Sequence, residues 1–265
     1  MDTIIIRGGG DIATGIGYRL YMAGFKVVIL DIEKPLAIRR KVSFCEAIYM
    51  GEISVEGVKA VLAKNLDEIY NTINRGAIPV YVDEKGEIIN RLNPIAVVDS
   101  ILAKKNLGTT KNMAPITIGV GPGFEAGVDV DLVVETKRGH FLGKVIHNGK
   151  AENNTGIPGE VMGYKEERII RANANGIFKS YYDIGSKIEA GEIVGETGGV
   201  KIPAKISGIL RGIIKEGLYV KEGLKIGDID PRGIEDYAYT ISDKARAVGG
   251  GVLEGIMYLM RGRRF

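Results

Sequence analysis

Short apolar runs separated by glycine-centred turns fill the first hundred residues, and their spacing alternates between strand and helix periods. Thr3-Ile4-Ile5-Ile6 is a β-branched run that stops at Arg7 and Gly8-Gly9-Gly10, as a buried parallel strand does. Ile12, Ile16 and Leu20 then recur on one helical face, and Gly24 is placed to end that helix. Phe25 to Leu30 reads as a second strand closing on Asp31. Further on, the pattern predicts a helix from Asp67 to Arg75, capped by Asp67 and closed by Gly76, and a strand from Ile78 to Val82. Asn93-Pro94 predicts a helix through Lys104, with Ile95, Val98 and Leu102 inward and Asp99 near its middle.

Beyond residue 112 the pattern changes. Ile116 to Phe124 is a strand running into a second glycine-rich loop, and Leu132 to Thr136 is another strand. Gly176, Gly185, Gly191 and Gly195 then recur as Gly208, Gly217, Gly223 and Gly227, each 32 residues later. Ile177 matches Ile209 and Ile188 matches Val220. Two units too short to bury a core alone imply a duplicated, pseudo-symmetric β structure. The chain ends with a helix from Ile241 to Met260, whose apolar face is Ala245, Val248, Val252, Ile256 and Leu259. Gly249-Gly250-Gly251 interrupts that pattern, which points to very close packing or to a backbone contact with ligand.

Composition sharpens this division. The chain has 265 residues and 38 glycines, where ordinary usage of roughly 7% would give about 19. Only 11 of them precede residue 113; the other 27 follow it. Thirty-six basic against 33 acidic residues leave a charge of +3, too balanced to argue for a nucleic-acid or membrane-surface partner. One cysteine, Cys45, excludes an intrachain disulfide, and it has no evident base or second thiol to make it a sulfur- or selenium-carrying nucleophile. No run approaches the ~20 apolar residues of a membrane span, and the acidic start does not read as a signal peptide. A cytoplasmic location is the expectation.

The candidate chemistry gathers at the glycine loops. Gly8-Gly9-Gly10-Asp11-Ile12-Ala13 fits G-x-G-x-x-A between a strand and a helix, with Asp31 at 21 residues beyond Gly10. In a dinucleotide site the glycines admit a pyrophosphate to the helix N-terminus and the acid accepts from a ribose. Asp11 argues against a standard site: at the helix entrance it repels phosphate while serving as a cap. The loop is therefore either a binding loop for something anionic or nucleotide-like, or a structural turn. Gly119, Gly121 and Gly123 around Pro122 suit an anion nest of successive N–H groups. Glu135 and His140 are the catalytic candidates, His140 for proton transfer, and Arg138 is either a ligand contact or simply the partner of Glu135. Arg7, Asn154 and Thr155 complete the proposed lining. His140 and His147 do not form a zinc pattern, so no metal is expected. Arg39-Arg40-Lys41 either meets a phosphate or is a solvated face.

The duplicated segment resembles the barrel-sandwich hybrid of biotinyl and lipoyl domains. Its one candidate lysine, Lys201, lacks the flanking residues of a modified lysine, so a structural or docking role is expected. As a whole the sequence resembles the YqeB-type family, accessory proteins of selenium-dependent molybdenum hydroxylases. The stretches that carry this are RGGGDIATG (7–15), IRRKVSF (38–44), VVDSILAKKN (97–106), GVGPGFEAGVDV (119–130), ETKRGHFLGKVI (135–146), NTGIPG (154–159) and GDIDPRG (227–233). The resemblance implies a Rossmann-like N-terminal domain similar to that of XdhC-type molybdenum-cofactor chaperones. It also implies a role in maturing the cofactor of a partner hydroxylase, together with that system's other accessory proteins.

The expected architecture is thus α/β. A Rossmann-like domain spans 1–112 and a glycine-rich β segment with the candidate site spans 113–170. A barrel-sandwich-hybrid-like repeat follows over 171–232 and a terminal helix over 233–265. The expected function is that of a maturation factor binding a nucleotide-, pterin- or selenium-containing intermediate, with a dinucleotide or a molybdopterin-type cofactor as the bound group. An NAD(P)-dependent oxidoreductase and a non-catalytic docking scaffold are the alternatives. The residues leave open whether any reaction is catalysed and whether the chain forms a homo-oligomer.

Overall fold

The computed structural model describes residues 2–153, 156 and 158–262. These divide into two compact units. The first comprises 1–35, 43–154 and 241–265; the second comprises 36–42 and 155–240.

In the first unit β1 (Thr3–Arg7), α1 (Asp11–Met22) and β2 (Lys26–Asp31) form the expected βαβ unit. Next come α2 (Ala47–Met50), β3 (Glu52–Val55), β4 (Val58–Ala63), α3 (Leu66–Asn74), β5 (Ile78–Val82), α4 (Ile89–Leu92) and β6 (Ala96–Asp99). The unit continues with β7 (Ile116–Val120), β8 (Glu125–Ala126), β9 (Leu132–Val134), β10 (Val145–Ile146), β11 (Gly149–Lys150) and, from the C-terminal end, α5 (Asp243–Met260). Among the described residues, nine strands make one sheet in the order β10-β9-β7-β6-β1-β2-β5-β4-β3. Its seven inner strands are parallel, and β10 and β3 close the two edges antiparallel. Inner strands read as unbroken Ile/Val runs because both faces are buried.

That rule explains where the helix expected over 93–104 fails. Ile95-Ala96-Val97-Val98 lacks alternation, and its apolar positions also satisfy helical spacing. The segment is instead strand β6, paired with both β1 and β7, and Asp99 ends a buried strand. The preceding helix stops at Asn93, whose φ of 44° is left-handed.

The expected Rossmann-like domain followed by a barrel-sandwich-hybrid-like part is therefore corrected. The parallel sheet does not end near residue 112, since β7 and β9 extend it. The terminal helix packs back on α1, and residues 36–42 leave the first unit for the second. The architecture is mixed α/β, with one large and mainly parallel sheet plus a β unit of discontinuous sequence.

The second unit holds β12 (Ile169–Arg171), β13 (Gly176–Ser180), β14 (Lys187–Ile188), β15 (Ile193–Thr197), β16 (Val200–Pro203), β17 (Gly208–Ile213), β18 (Tyr219–Val220) and β19 (Lys225–Asp230). They form two four-stranded sheets, β12-β19-β17-β14 and β16-β15-β13-β18. The 32-residue repeat is visible in the pairing: Ile177 pairs with Tyr219, and Lys187 pairs with Ile209. Each repeat thus lends its short strand to the other, and both fill one core around Phe178, Ile188, Leu210, Val220 and Ile226. Arg39 donates to the carbonyls of Tyr237 (2.7 Å) and Thr240 (3.0 Å), and Arg40 to that of Ile213 (2.9 Å). Part of the basic cluster is thereby a backbone clamp.

The GDIDPRG stretch has a structural use here. Asp228 receives Arg168 at 2.8 Å and Arg211 at 2.5 Å, and Asp230 receives Arg232 at 2.6 Å. Burial alone would raise the Asp230 pKa, but the bonds from Arg232 and the charge of Arg211 outweigh it and hold the carboxyl below its usual range.

In the first unit, α5 is uninterrupted through Gly249-Gly250-Gly251. A Cβ on Gly15 of α1 would stand 2.7 Å from the Ala245 Cβ, and one on Gly249 would stand 2.7 Å from the Gly15 carbonyl oxygen. A Cβ on Gly251 would strike the Gly143 carbonyl, whereas Gly250 faces open space. Gly15→Ala and Gly249→Ala should each destabilise the protein by about 1–3 kcal/mol despite better helix propensity. Gly250→Ala should stabilise it by about 0.5–1 kcal/mol. Urea unfolding of the three variants checks this, and equal effects at all three positions would contradict the packing account.

Candidate functional site

Parallel strands bring their carboxyl ends to one edge of the sheet. There β1 ends at Arg7, β2 at Asp31, β6 at Asp99, β7 at Val120 and β9 at Val134. Gly8, Gly10, Gly121, Gly123, Glu135 and Arg138 all lie in the loops that follow these ends, and Asp11 opens α1 beside them. This is the edge where open α/β sheets take their ligands.

Gly8 adopts φ 92°, and its N–H donates to the Leu30 carbonyl at 2.7 Å. The next amide, Gly9, donates to Asp31 Oδ2 at 2.7 Å, and the Gly9 carbonyl accepts from Cys45 N at 2.9 Å. Asp31 Oδ1 also accepts from Ile32 N at 2.7 Å. The acid that the motif assigns to a ribose therefore braces the glycine loop from within. Burial raises the Asp31 pKa, against the opposing bonds from Ile32, Gly9 and Cys45. Gly10 is the N-cap of α1, with extended backbone, no side-chain cap and open space where a Cβ would be. The first turn of α1 thus presents amides that no capping side chain covers.

Arg7 is buried at 2% exposure. It donates to Thr109 Oγ1 and to the Glu84 carbonyl (3.0 Å) and lies 3.6 Å from Asp99 Oδ2, to which Thr109 Oγ1 donates at 2.5 Å. It ties three loops together rather than facing solvent. The second glycine loop is similarly closed. Gly119 packs on the Phe124 ring, and the Gly121 N–H donates to the Val134 carbonyl at 2.8 Å. A Cβ on Gly123 would stand 2.8 Å from the Lys105 backbone. These glycines meet a packing demand.

Glu135 is also buried. Its Oε1 accepts from Thr136 N and Lys137 N, both at 2.7 Å, and its Oε2 from Glu152 N at 2.8 Å. Three amides, not Arg138, satisfy this carboxylate. Arg138 instead grips Asp243 of α5 with two bonds of 2.6 and 2.9 Å. His140 is exposed and meets the Phe141 ring edge-on at 5.0 Å. Asn154 and Thr155 lie outside the described residues. Among the described residues no group of three or more His, Cys, Asp or Glu could hold a metal ion, and no helix is long and apolar enough to cross a membrane.

Sequence reasoning missed Lys244. Ser242 caps α5, accepting from Ala245 N at 3.2 Å, which sets Lys244 in the helix's first turn. Lys244 is half-buried and feels Asp11 of α1, Glu135, Arg138 and Asp243. The signal was present as Ser242-Asp243-Lys244 at a helix start, but only the packing of α5 on α1 brings that turn to the glycine loop. Burial, and next Arg138, pull the lysine's pKa down against the three acids. Because its folded pKa lies below the unfolded one, protonated Lys244 opposes folding, and stability rises with pH through that window.

Cys45 is buried, and burial followed by Asp31, Glu46 and Asp11 raises its pKa well above that of a free thiol. It should react with iodoacetamide at pH 8 on the order of 1,000-fold more slowly in the native than in the urea-unfolded protein. Comparable rates would refute the assignment of Cys45 as an inert packing thiol.

No protein-family model matches the chain. Among solved structures it aligns with an aspartoacylase family protein from Mesorhizobium loti at 12% identity, covering 80% of this chain and 58% of that one, with a TM-score of 0.25. A succinylglutamate desuccinylase/aspartoacylase from Rhodobacter sphaeroides aligns at 14% identity, over 86% of this chain and 84% of that one, with a TM-score of 0.26. At such scores these matches carry no argument about fold, site or activity. In sequence, the chain is 51% identical over 257 residues to the uncharacterized protein YqeB of Escherichia coli K12, covering 97% of this chain and 48% of that protein. By that kinship the chain belongs to the YqeB family, and it spans about half the length of the curated relative it matches.

Proposed function

We propose that the chain is a cytoplasmic, non-redox binder of an anionic small molecule. It holds a nucleotide-, pterin- or selenium-containing intermediate and serves the maturation of a selenium-dependent molybdenum hydroxylase, in the manner of XdhC-type chaperones. The hydroxylase and its other accessory proteins are its partners in this reading, which rests on the sequence resemblance described above. The observation that carries the binding part is the half-buried Lys244 beside the uncapped first turn of α1. Helix N-terminal amides and a lysine ammonium together suit a phosphate, selenophosphate or carboxylate group.

Asp31 weighs against the NAD(P)-dependent oxidoreductase. Its carboxylate is already engaged with the Gly9 and Ile32 amides, so its first role is to brace the loop, and a ribose would have to share it. His140, the candidate for proton transfer, is exposed, and its ring meets Phe141 edge-on.

Ligand-induced thermal shifts test the reading, with NAD, NADP, AMP, molybdopterin cofactor and selenophosphate as ligands. A ligand at 100 times its dissociation constant adds about 2.7 kcal/mol of stability. That response should be lost in Lys244→Gln and reduced in Arg138→Ala, which frees Asp243 beside the site. A response to NAD that vanishes in Asp31→Ala would overturn the proposal in favour of the oxidoreductase. So would silence toward every ligand, which leaves a docking scaffold.

A further inference from the structure

A cleft of about 410 Å³ opens along the same sheet edge, lined by Lys104, Gly123, Phe124, Asp129, Lys150 and Asn153. That volume lies in the range of small-molecule sites. Phe124 of the lining is packed in a buried cluster with Ala126, Val130, Val133 and Ala151. Of the two lysines, Lys150 reaches Glu125 at 3.1 Å and is mostly exposed. Lys104 makes no ion pair or hydrogen bond with any described residue. The acid in the lining, Asp129, is occupied on one oxygen by the Glu125 amide at 2.8 Å.

The backbone that carries Lys104 is unusual as well. Lys104 has φ 64° and Leu102 has φ 60°, two left-handed residues with side chains in one short loop. Such a conformation persists only where the surroundings impose it, and it gathers at ligand sites. Here the surroundings are identifiable. Ahead of the loop, Asp99 Oδ1 accepts from Ile101 N at 3.1 Å. After it, Asn106 Oδ1 accepts from Gly108 N (2.9 Å) and Thr109 N (2.8 Å), and Thr109 is locked to the buried Asp99. Gly123 lies against the Lys105 backbone from the other side. A glycine at 104 would fit this loop without strain; the chain keeps a lysine there and aims its loop at a cleft.

The geometry points to this cleft as a binding site for a phosphate-bearing small molecule of up to nucleotide size, with Lys104 as its principal cation, Lys150 as the second and Asn153 as an amide donor. A lysine ammonium is a compact point charge suited to a phosphate oxygen. The inference goes beyond the site at Lys244, because it uses different residues and a different loop.

Binding of inorganic pyrophosphate and of AMP by calorimetry tests it, with sodium sulfate at matched ionic strength as the control. Lys104→Gln removes the charge and keeps the backbone strain; Lys104→Gly removes both. Both variants should weaken pyrophosphate binding at least tenfold, and only Lys104→Gly should raise the ligand-free melting temperature. Loss of binding in both Lys104 variants upholds the inference whether or not Lys244→Gln also loses it. Unchanged affinity in both Lys104 variants overturns it, including the case where only Lys244→Gln abolishes binding and the anion belongs to the other site. Absence of binding by the unaltered protein overturns it as well.

Discussion

The contact of α1 with α5 is the constraint on which the first unit depends. Gly15 lets Ala245 come close, Gly249 meets the Gly15 carbonyl, and Gly251 meets the Gly143 carbonyl. Each glycine in a helix interior costs roughly 1 kcal/mol of propensity relative to alanine, and close approach of the backbones offsets that cost. The approach also positions charge. It sets the first turn of α5, with Asp243 and Lys244, beside the first turn of α1. Through Gly143, whose amide donates to the Glu135 carbonyl at 2.9 Å, it also fixes the loop that follows β9.

Around this helix pair the acids at the sheet edge share one task. Asp31 holds the amides of Gly9 and Ile32, Glu135 those of Thr136, Lys137 and Glu152, and Asp83 those of Gly86 and Ile88. A carboxylate satisfied by amides orders a loop without presenting its charge to a ligand. Left to face a ligand are Lys244 and the first turn of α1, with the Asp11 carboxylate at its entrance, and Lys104 in its left-handed loop, with Asp129 in the same cleft. The candidate catalytic acid Glu135 thus acts as an organiser, and the proposal of anion binding rests on Lys244 and the first turn of α1.

Local patterns were legible where they are set by neighbours in sequence. The βαβ start, the strand over Ile78–Val82, the amphipathic face of α5 and the 32-residue repeat follow from spacing alone. What failed was non-local. Ile95 to Asp99 satisfies helix spacing, and only its place between β1 and β7 makes it a strand. The continuity of the sheet past residue 112 and the departure of residues 36–42 to the second unit leave no periodic trace. Of the candidate site residues, several side chains take partners other than those their spacing suggested. Arg138 turns to Asp243, and Asp31 turns to its own glycine loop, because those partners arrive by tertiary packing. Lys244, 233 positions beyond Asp11, was invisible for the same reason.

The central claim is that the sheet edge beneath the α1–α5 contact receives an anion. Amide chemical-shift mapping of the 15N-labelled protein, titrated with selenophosphate or AMP, tests it most directly. The account predicts saturable shifts at Gly10, Asp11, Ile12 and Lys244, separable from any at the Lys104 cleft, with the second unit unaffected. Shifts confined to residues 155–240, or none that saturate, would contradict it.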